Sequence, residues 1–271
     1  MSASTLDAWL ASYSANRDSR RIAVAATVRH LANAALQVRK SIGEGALGAS
    51  FSGTCGNANA GGDVQKDLDV HADRIFLAAM RQAPVAFYAS EELDDPITLD
   101  VTQPIALAID PLDGSSNIDT NTSIGTIFSI LPSSGDAAST FLQPGRMQLG
   151  AGFFIFGPQF ALVLTLGEGT RIFVLSARLG TFVEAYPSLQ IAPDATEFAV
   201  NASNYRHWDE AVRLYVDDCI QGVEGPRGKD FNMRWIGVVT LSFSGWKGQR
   251  LVDIQATQAA IFHASKASSR W

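Results

Sequence analysis

Cysteine is nearly absent from this sequence. Cys55 and Cys219 are the whole supply, with no CxxC and no histidine at ligand spacing beside either. That argues against a disulfide framework and a thiolate zinc site, and it fits a reducing compartment. Histidine is equally thin: His30, His71, His207 and His263 are scattered along the chain, so no Ser-His-Asp or Cys-His arrangement can be argued from them. Positive charge is short as well. Lys and Arg number 21 against 27 Asp and Glu, a net charge of −6, which recommends neither nucleic acid nor an anionic membrane as a partner. No apolar run reaches the length that spans a bilayer. The opening MSASTLDAWLASYS lacks the basic start and apolar core of a secretory signal. The expectation is a cytoplasmic protein.

What is present is a chain of 271 residues, 46% hydrophobic, enough for one large core or two smaller ones. Its most informative stretch is Ile105 to Ile130, IALAIDPLDGSSNIDTNTSIGTIFSI. Ile105 to Ile109 is an apolar run bounded by Pro104 and reads as a buried strand. Asp110 and Asp113 follow, and Pro111 between them predicts a turn because proline fixes φ and removes a donor. Two carboxylates on one short loop, with the Leu112 carbonyl between them, suit a hard cation such as Mg²⁺ or Mn²⁺. Gly114, Ser115 and Ser116 then offer backbone N–H groups and hydroxyls that cradle a phosphate beside that metal. A DxxD alone is usually an acidic surface turn; the buried strand before it and GSS after it carry the functional reading. Ile124 to Ile130 reads as the next strand.

Along the rest of the chain, residues 5–18 read as a short amphipathic segment with Leu6, Trp9 and Leu10 on one face. Val24, Val28, Leu31, Ala35 and Val38 then recur at helical spacing. Gly43 to Gly62 has loop composition, as a mobile flap or as a linker. Leu68, Ala72, Ile75 and Ala79 predict a helix with Asp63 and Asp69 at or just before its start, where the macrodipole alone favours acids. Val85 to Tyr88 reads as a strand leading into Ser90-Glu91-Glu92. If that strand neighbours Ile105–Ile109, four carboxylates meet at one sheet edge. Met147–Phe156, Phe160–Leu166, Arg171–Leu175 and Thr181–Glu184 are antiparallel strand candidates separated by turn signals. Phe198–Val200 predicts a strand delivering Asn201. His207–Gly222 predicts a helix burying Trp208, Val212, Tyr215 and Cys219, and Met233 to Gly237 begins a new buried element.

Taken together, DPLDGSSNID, SEE, GGDVQKDLDV and SIGTIF resemble class I fructose-1,6-bisphosphatases, within the lithium-sensitive phosphatase superfamily. The short DPxDGxx core is shared with inositol monophosphatases; the GSSN ending, Glu91-Glu92 and NxxxYRHWD favour the bisphosphatase branch. The resemblance implies an α/β (α+β) fold of layered αβαβα type. It implies a metal- and phosphate-binding domain over 1–190 and an incomplete sugar-binding domain over 191–271. It implies Mg²⁺, with Mn²⁺ an alternative, held by Glu91, Asp110, the Leu112 carbonyl, Asp113 and Asp63. Asp69 and Glu92 would orient and deprotonate the attacking water. Asp113, Gly114, Ser115 and Ser116 would hold the 1-phosphate, Asn201 the sugar phosphate, and Arg234 a neighbouring subunit's 6-phosphate pocket in a homo-oligomer. The substrate implied is fructose 1,6-bisphosphate. Sedoheptulose 1,7-bisphosphate, another sugar or inositol phosphate, and a catalytically silent family member remain open.

After Gly237 the resemblance stops. The remaining tail holds one acidic residue, Asp253, and no glutamate, so it lacks the family's further metal-binding glutamate. The expectation is a frameshifted or truncated reading frame, or a divergent tail, and weak or absent activity.

Overall fold

The computed structural model describes residues 4–16, 18–51, 62–115, 118, 121–189, 196–200 and 202–234, without the side chains of 45–51, 62–67, 199, 203, 204 and 234. The chain divides into two compact units at Leu189 and Gln190.

The first unit opens with α1 (Leu6–Tyr13), whose N-cap Thr5 accepts from the Ala8 N–H at 3.2 Å. Leu6 and Leu10 are its buried residues. Next is α2 (Ser19–Phe51), a helix of 33 residues. Val24, Val28, Leu31, Ala35 and Val38 are all buried, as their spacing requires. Residues 43–51, expected as loop, continue that helix instead. The reason is that Gly43 and its neighbours weaken a helix without terminating it, since no proline interrupts the run; residues 52–61 lie outside the described residues.

The third helix, α3 (Gly62–Met80), places Asp69 well inside it rather than at its start. Of the expected stripe Ala72 is buried while Leu68, Ile75 and Ala79 are half-buried; among the described side chains the other buried ones are Asp73, Phe76 and Met80. Both patterns keep helical periodicity, and packing against the sheet chooses the face rotated toward Asp73 and Phe76.

The helices meet an eight-stranded sheet of order β2-β1-β3-β4-β5-β6-β7-β8. Its strands are β1 (Val85–Ser90), β2 (Ile97–Thr98), β3 (Ile105–Asp113), β4 (Ile124–Pro132), β5 (Gly150–Phe156), β6 (Phe160–Thr165), β7 (Thr170–Ser176) and β8 (Thr181–Leu189). Only β1 and β3 run parallel; the other neighbours are antiparallel. All nine residues of β4 are buried, the mark of a central strand covered on both faces. Phe128, Phe154, Phe160 and Phe182 form a linked aromatic core across β4, β5, β6 and β8. On β1 and β3, Ala86, Phe87 and Ala106 are covered by Ala137 and Phe141 of the short α4 (Ala137–Phe141).

In the second unit β9 (Glu197–Ala199) pairs in parallel with β10 (Asn232–Arg234). Between them lies α5 (Glu210–Ile220), N-capped by Asp209. Val216 and Cys219 are buried there with Phe198, against Trp208, Phe231 and Met233. Val212 and Tyr215, expected on the buried side, are 39% and 46% exposed. The helix begins at Glu210 because a 3₁₀ segment, Ala202–His207, takes the residues before it. Among the described residues, no helix is long and apolar enough to cross a membrane.

Candidate active site

Because β1 and β3 are parallel, both deliver their C-terminal ends to the same edge of the sheet, with Ser90 opposite Ile109. The Glu91 N–H donates to the Ile109 carbonyl at 3.1 Å, so Glu91-Glu92 leaves β1 directly beside Asp110. The expected turn at Pro111 is replaced by strand: β3 runs on to Asp113, and its pairing with β4 slips between Asp110 and Asp113. Proline is tolerated at such an irregularity because it gives up a ladder donor there at no cost. The Pro111 carbonyl accepts from Thr126 Oγ1 on β4 at 2.9 Å, which fixes the slipped segment. Asp110 and Asp113 are therefore held on a strand end rather than on a loop, and Leu112 between them is buried.

The carboxylates crowd one another. Asp110 is pushed up to about 9, first by burial and then by the charge of Glu91, with which it shares a hydrogen bond, and of Asp113. Asp110 therefore keeps its proton at pH values where an exposed aspartate has lost it. Asp69 is also raised, by burial and by the charge of Glu91, against the hydrogen bond from Ser115. That bond, Ser115 Oγ to Asp69 Oδ2, is 3.0 Å long. It is possible because Gly114 turns the chain at φ +80, a left-handed conformation that favours glycine.

Among the described residues Asp69 Oδ1 is buried with no hydrogen-bond partner. Like-charged oxygens gathered at one sheet edge, with one buried carboxylate oxygen unpaired, fit a hard cation. Among the described residues no three His, Cys, Asp or Glu side chains converge at ligand spacing; Glu91 and Asp110 instead bond to each other.

The edge thus brings together Asp69, Glu91, Glu92, Asp110, Leu112, Asp113, Gly114 and Ser115. Asp63 lies at the start of α3 and Arg234 ends β10, but their side chains are outside the description. Ser116, Asn201 and the tail beyond Arg234 lie outside the described residues. Sequence reasoning missed the buried polar partners behind this edge, Asp73, Tyr88 and Ser90. The only available signal was the four-residue spacing of Asp69 and Asp73 on one helix face.

A layered α/β fold that gathers acidic side chains and a glycine turn at one sheet edge has the build of a metal-dependent phosphatase. The profile of the fructose-1-6-bisphosphatase N-terminal domain matches residues 6–187. A class 1 fructose-1,6-bisphosphatase of Rhizobium meliloti (strain 1021) is 60% identical over 240 residues, spanning 87% of this chain and 69% of that protein. Another, of Azorhizobium caulinodans, is 50% identical over 242 residues, spanning 88% and 74%. Leishmania major fructose-1,6-bisphosphatase in its holo form superposes with a TM-score of 0.73 at 27% identity, covering 87% of this chain and 73% of that one. Its apo form superposes with a TM-score of 0.71 at 23% identity, which speaks for the fold. This chain belongs to the class 1 fructose-1,6-bisphosphatase family, whose members are metal-dependent phosphatases.

Proposed function

We propose that this chain hydrolyses the 1-phosphate of fructose 1,6-bisphosphate, giving fructose 6-phosphate and inorganic phosphate, with Mg²⁺ as its cofactor. The observation that carries the reading is the meeting of Asp69, Glu91, Asp110 and Ser115 at the shared end of β1 and β3. Family membership then supplies the substrate class.

In this reading Glu91, Asp110, Asp113, the Leu112 carbonyl and Asp63 hold the metal. Bound there, Mg²⁺ supplies Lewis acidity toward the phosphoryl oxygens and eases ionisation of water. The protein does the rest by position. Gly114, Ser115 and Ser116 present backbone N–H donors, and Ser116 its O–H, to the phosphate being transferred. Ser115 Oγ donates to Asp69 Oδ2, which leaves Oδ1 as the oxygen to accept from the attacking water. Burial raises the Asp69 carboxyl toward neutrality, and that makes it a better proton acceptor than an exposed aspartate. Together Asp69 and Glu92 orient the water and take its proton. The water oxygen bonds to phosphorus, the bond from phosphorus to the sugar oxygen breaks, and the proton taken from the water is returned, through solvent, to the leaving alkoxide.

The first unit is the metal- and phosphate-binding half and the second the sugar-binding half, through Asn201. Arg234 completes a neighbouring subunit's pocket, which makes the working form a homo-oligomer. A cytoplasmic setting suits the two cysteines and the diffusible substrate.

Phosphate release from fructose 1,6-bisphosphate, sedoheptulose 1,7-bisphosphate and inositol 1-phosphate tests the reading. The expected result is Mg²⁺-dependent release, fastest from the fructose ester and abolished by a chelator. Folded protein that releases no phosphate from the fructose ester, or does so equally without metal, would refute it.

A further inference from the structure

One buried polar group behind the site takes no part in the chemistry just described. Tyr88 Oη donates to Asp73 Oδ1 at 2.7 Å, with Tyr88 fully enclosed and Asp73 only 5% exposed. Ser90, also buried, follows Tyr88 by two residues on β1. The Glu92 N–H in turn donates to Ser90 Oγ at 3.3 Å. The first bond ties the interior of α3 to β1, and the second ties the end of β1 to the backbone of Glu92.

The placement of these bonds is what matters. Asp73 follows Asp69 by four residues on α3, so the two stand one turn apart on the same helix face. Tyr88 and Ser90 are two residues apart on β1, so they share one face of that strand. Toward the sheet edge, Ser115 makes a second tie to the helix at Asp69, at 3.0 Å. A buried aspartate is costly to desolvate, and apolar residues of similar volume would fill this space with equal or better stability. What the buried Tyr88–Asp73 bond adds is direction. Apolar packing tolerates a helix that slides or rotates slightly, whereas a short hydrogen bond between enclosed groups fixes both.

We propose that Asp73, Tyr88 and Ser90 are positioning residues: the Tyr88–Asp73 bond between α3 and β1, with the Ser90 bond to the Glu92 backbone, holds Asp69 at a set distance from Glu91 and Glu92, and so sets how tightly the site takes a divalent cation. The proposal rests on the metal-dependent reading of the site. It extends that reading to three residues that do not themselves touch metal or substrate.

The decisive variant is Tyr88→Phe, which keeps every charge and the aromatic ring and removes one oxygen. Mn²⁺ alone is the probe, titrated into the full chain and followed by calorimetry or electron paramagnetic resonance. Melting temperatures of the same samples verify that each is folded. Tyr88→Phe is expected to weaken Mn²⁺ binding by about tenfold, the scale on which supporting partners of metal ligands act. Asp73→Asn and Asp73→Ala lose the same charge, but only the asparagine keeps an acceptor for the Tyr88 hydroxyl. The asparagine variant is therefore expected to bind Mn²⁺ more tightly than the alanine one.

Unchanged Mn²⁺ affinity in folded Tyr88→Phe, whatever its melting temperature, overturns the proposal and leaves the functional reading standing. If Tyr88→Phe does not fold, equal affinities for the two Asp73 variants overturn it instead. An unsubstituted chain that binds no Mn²⁺ removes the functional reading and this inference together.

Discussion

Asp110 sits in an environment far from that of a carboxylate in water. Burial and the charges of Glu91 and Asp113 hold its proton far above the ordinary range. The folded chain therefore binds that proton more tightly than the unfolded chain does. The stabilisation is complete below the ordinary aspartate pKa of about 4 and is lost as pH rises toward about 9. In chelator-treated protein the urea midpoint is expected to fall over that window. Saturating Mg²⁺ should flatten the dependence, because a cation replaces the proton as the counter-charge. Asp110→Asn should flatten it without metal. Urea unfolding at stepped pH reads all three, and a wild-type midpoint independent of pH would count against the crowded-carboxylate picture.

At the scale of elements, the site depends on two strands staying in register at their ends, and the central sheet supplies the stiffness. Gly152 on β5 shows how closely that sheet is packed. A Cβ there would lie 2.6 Å from the Val163 carbonyl oxygen and 2.8 Å from Phe128 Cζ. The carbonyl belongs to the β5–β6 ladder and cannot move aside without breaking it. Gly152→Ala is expected to cost about 1–3 kcal/mol, the range for overpacking a core. A lowered denaturant midpoint with unchanged slope would show it. A midpoint equal to wild type would mean that the sheet gives more readily than its packing suggests.

At the scale of the whole molecule, every described acidic residue assigned to the site belongs to the first unit, while α5, β9 and β10 belong to the second. Ligands stabilise the structure that binds them. Hydrogen exchange read by mass spectrometry is therefore expected to show Mg²⁺ protecting peptides from α3, β1 and β3, with little change over α5. Protection confined to α5 would displace the metal site from the β1–β3 edge.

Much of this was legible in the sequence because it is local. An apolar run before DPLDGSS makes β3, alternating apolar residues between glycine turns make the β5–β8 hairpins, and regular spacing makes the Val24–Val38 face of α2. The candidate carboxylates Glu91, Asp110 and Asp113 could be named for the same reason. Three features were decided only by tertiary structure. The sequence does not specify that β1 and β3 lie side by side in parallel, and without that pairing Glu91 would not meet Asp110. Periodicity allowed two faces for α3 and for α5, and long-range packing chose the one holding Asp73 and Phe76, and the one holding Val216 and Cys219. The Tyr88–Asp73 bond joins a strand to a helix across 15 positions of chain, so no local pattern announces it. The DPLDGSS stretch by itself pointed to the chemistry proposed for this protein, while the fold decided which distant carboxylates crowd it, because charge coupling depends on distance in space rather than along the chain.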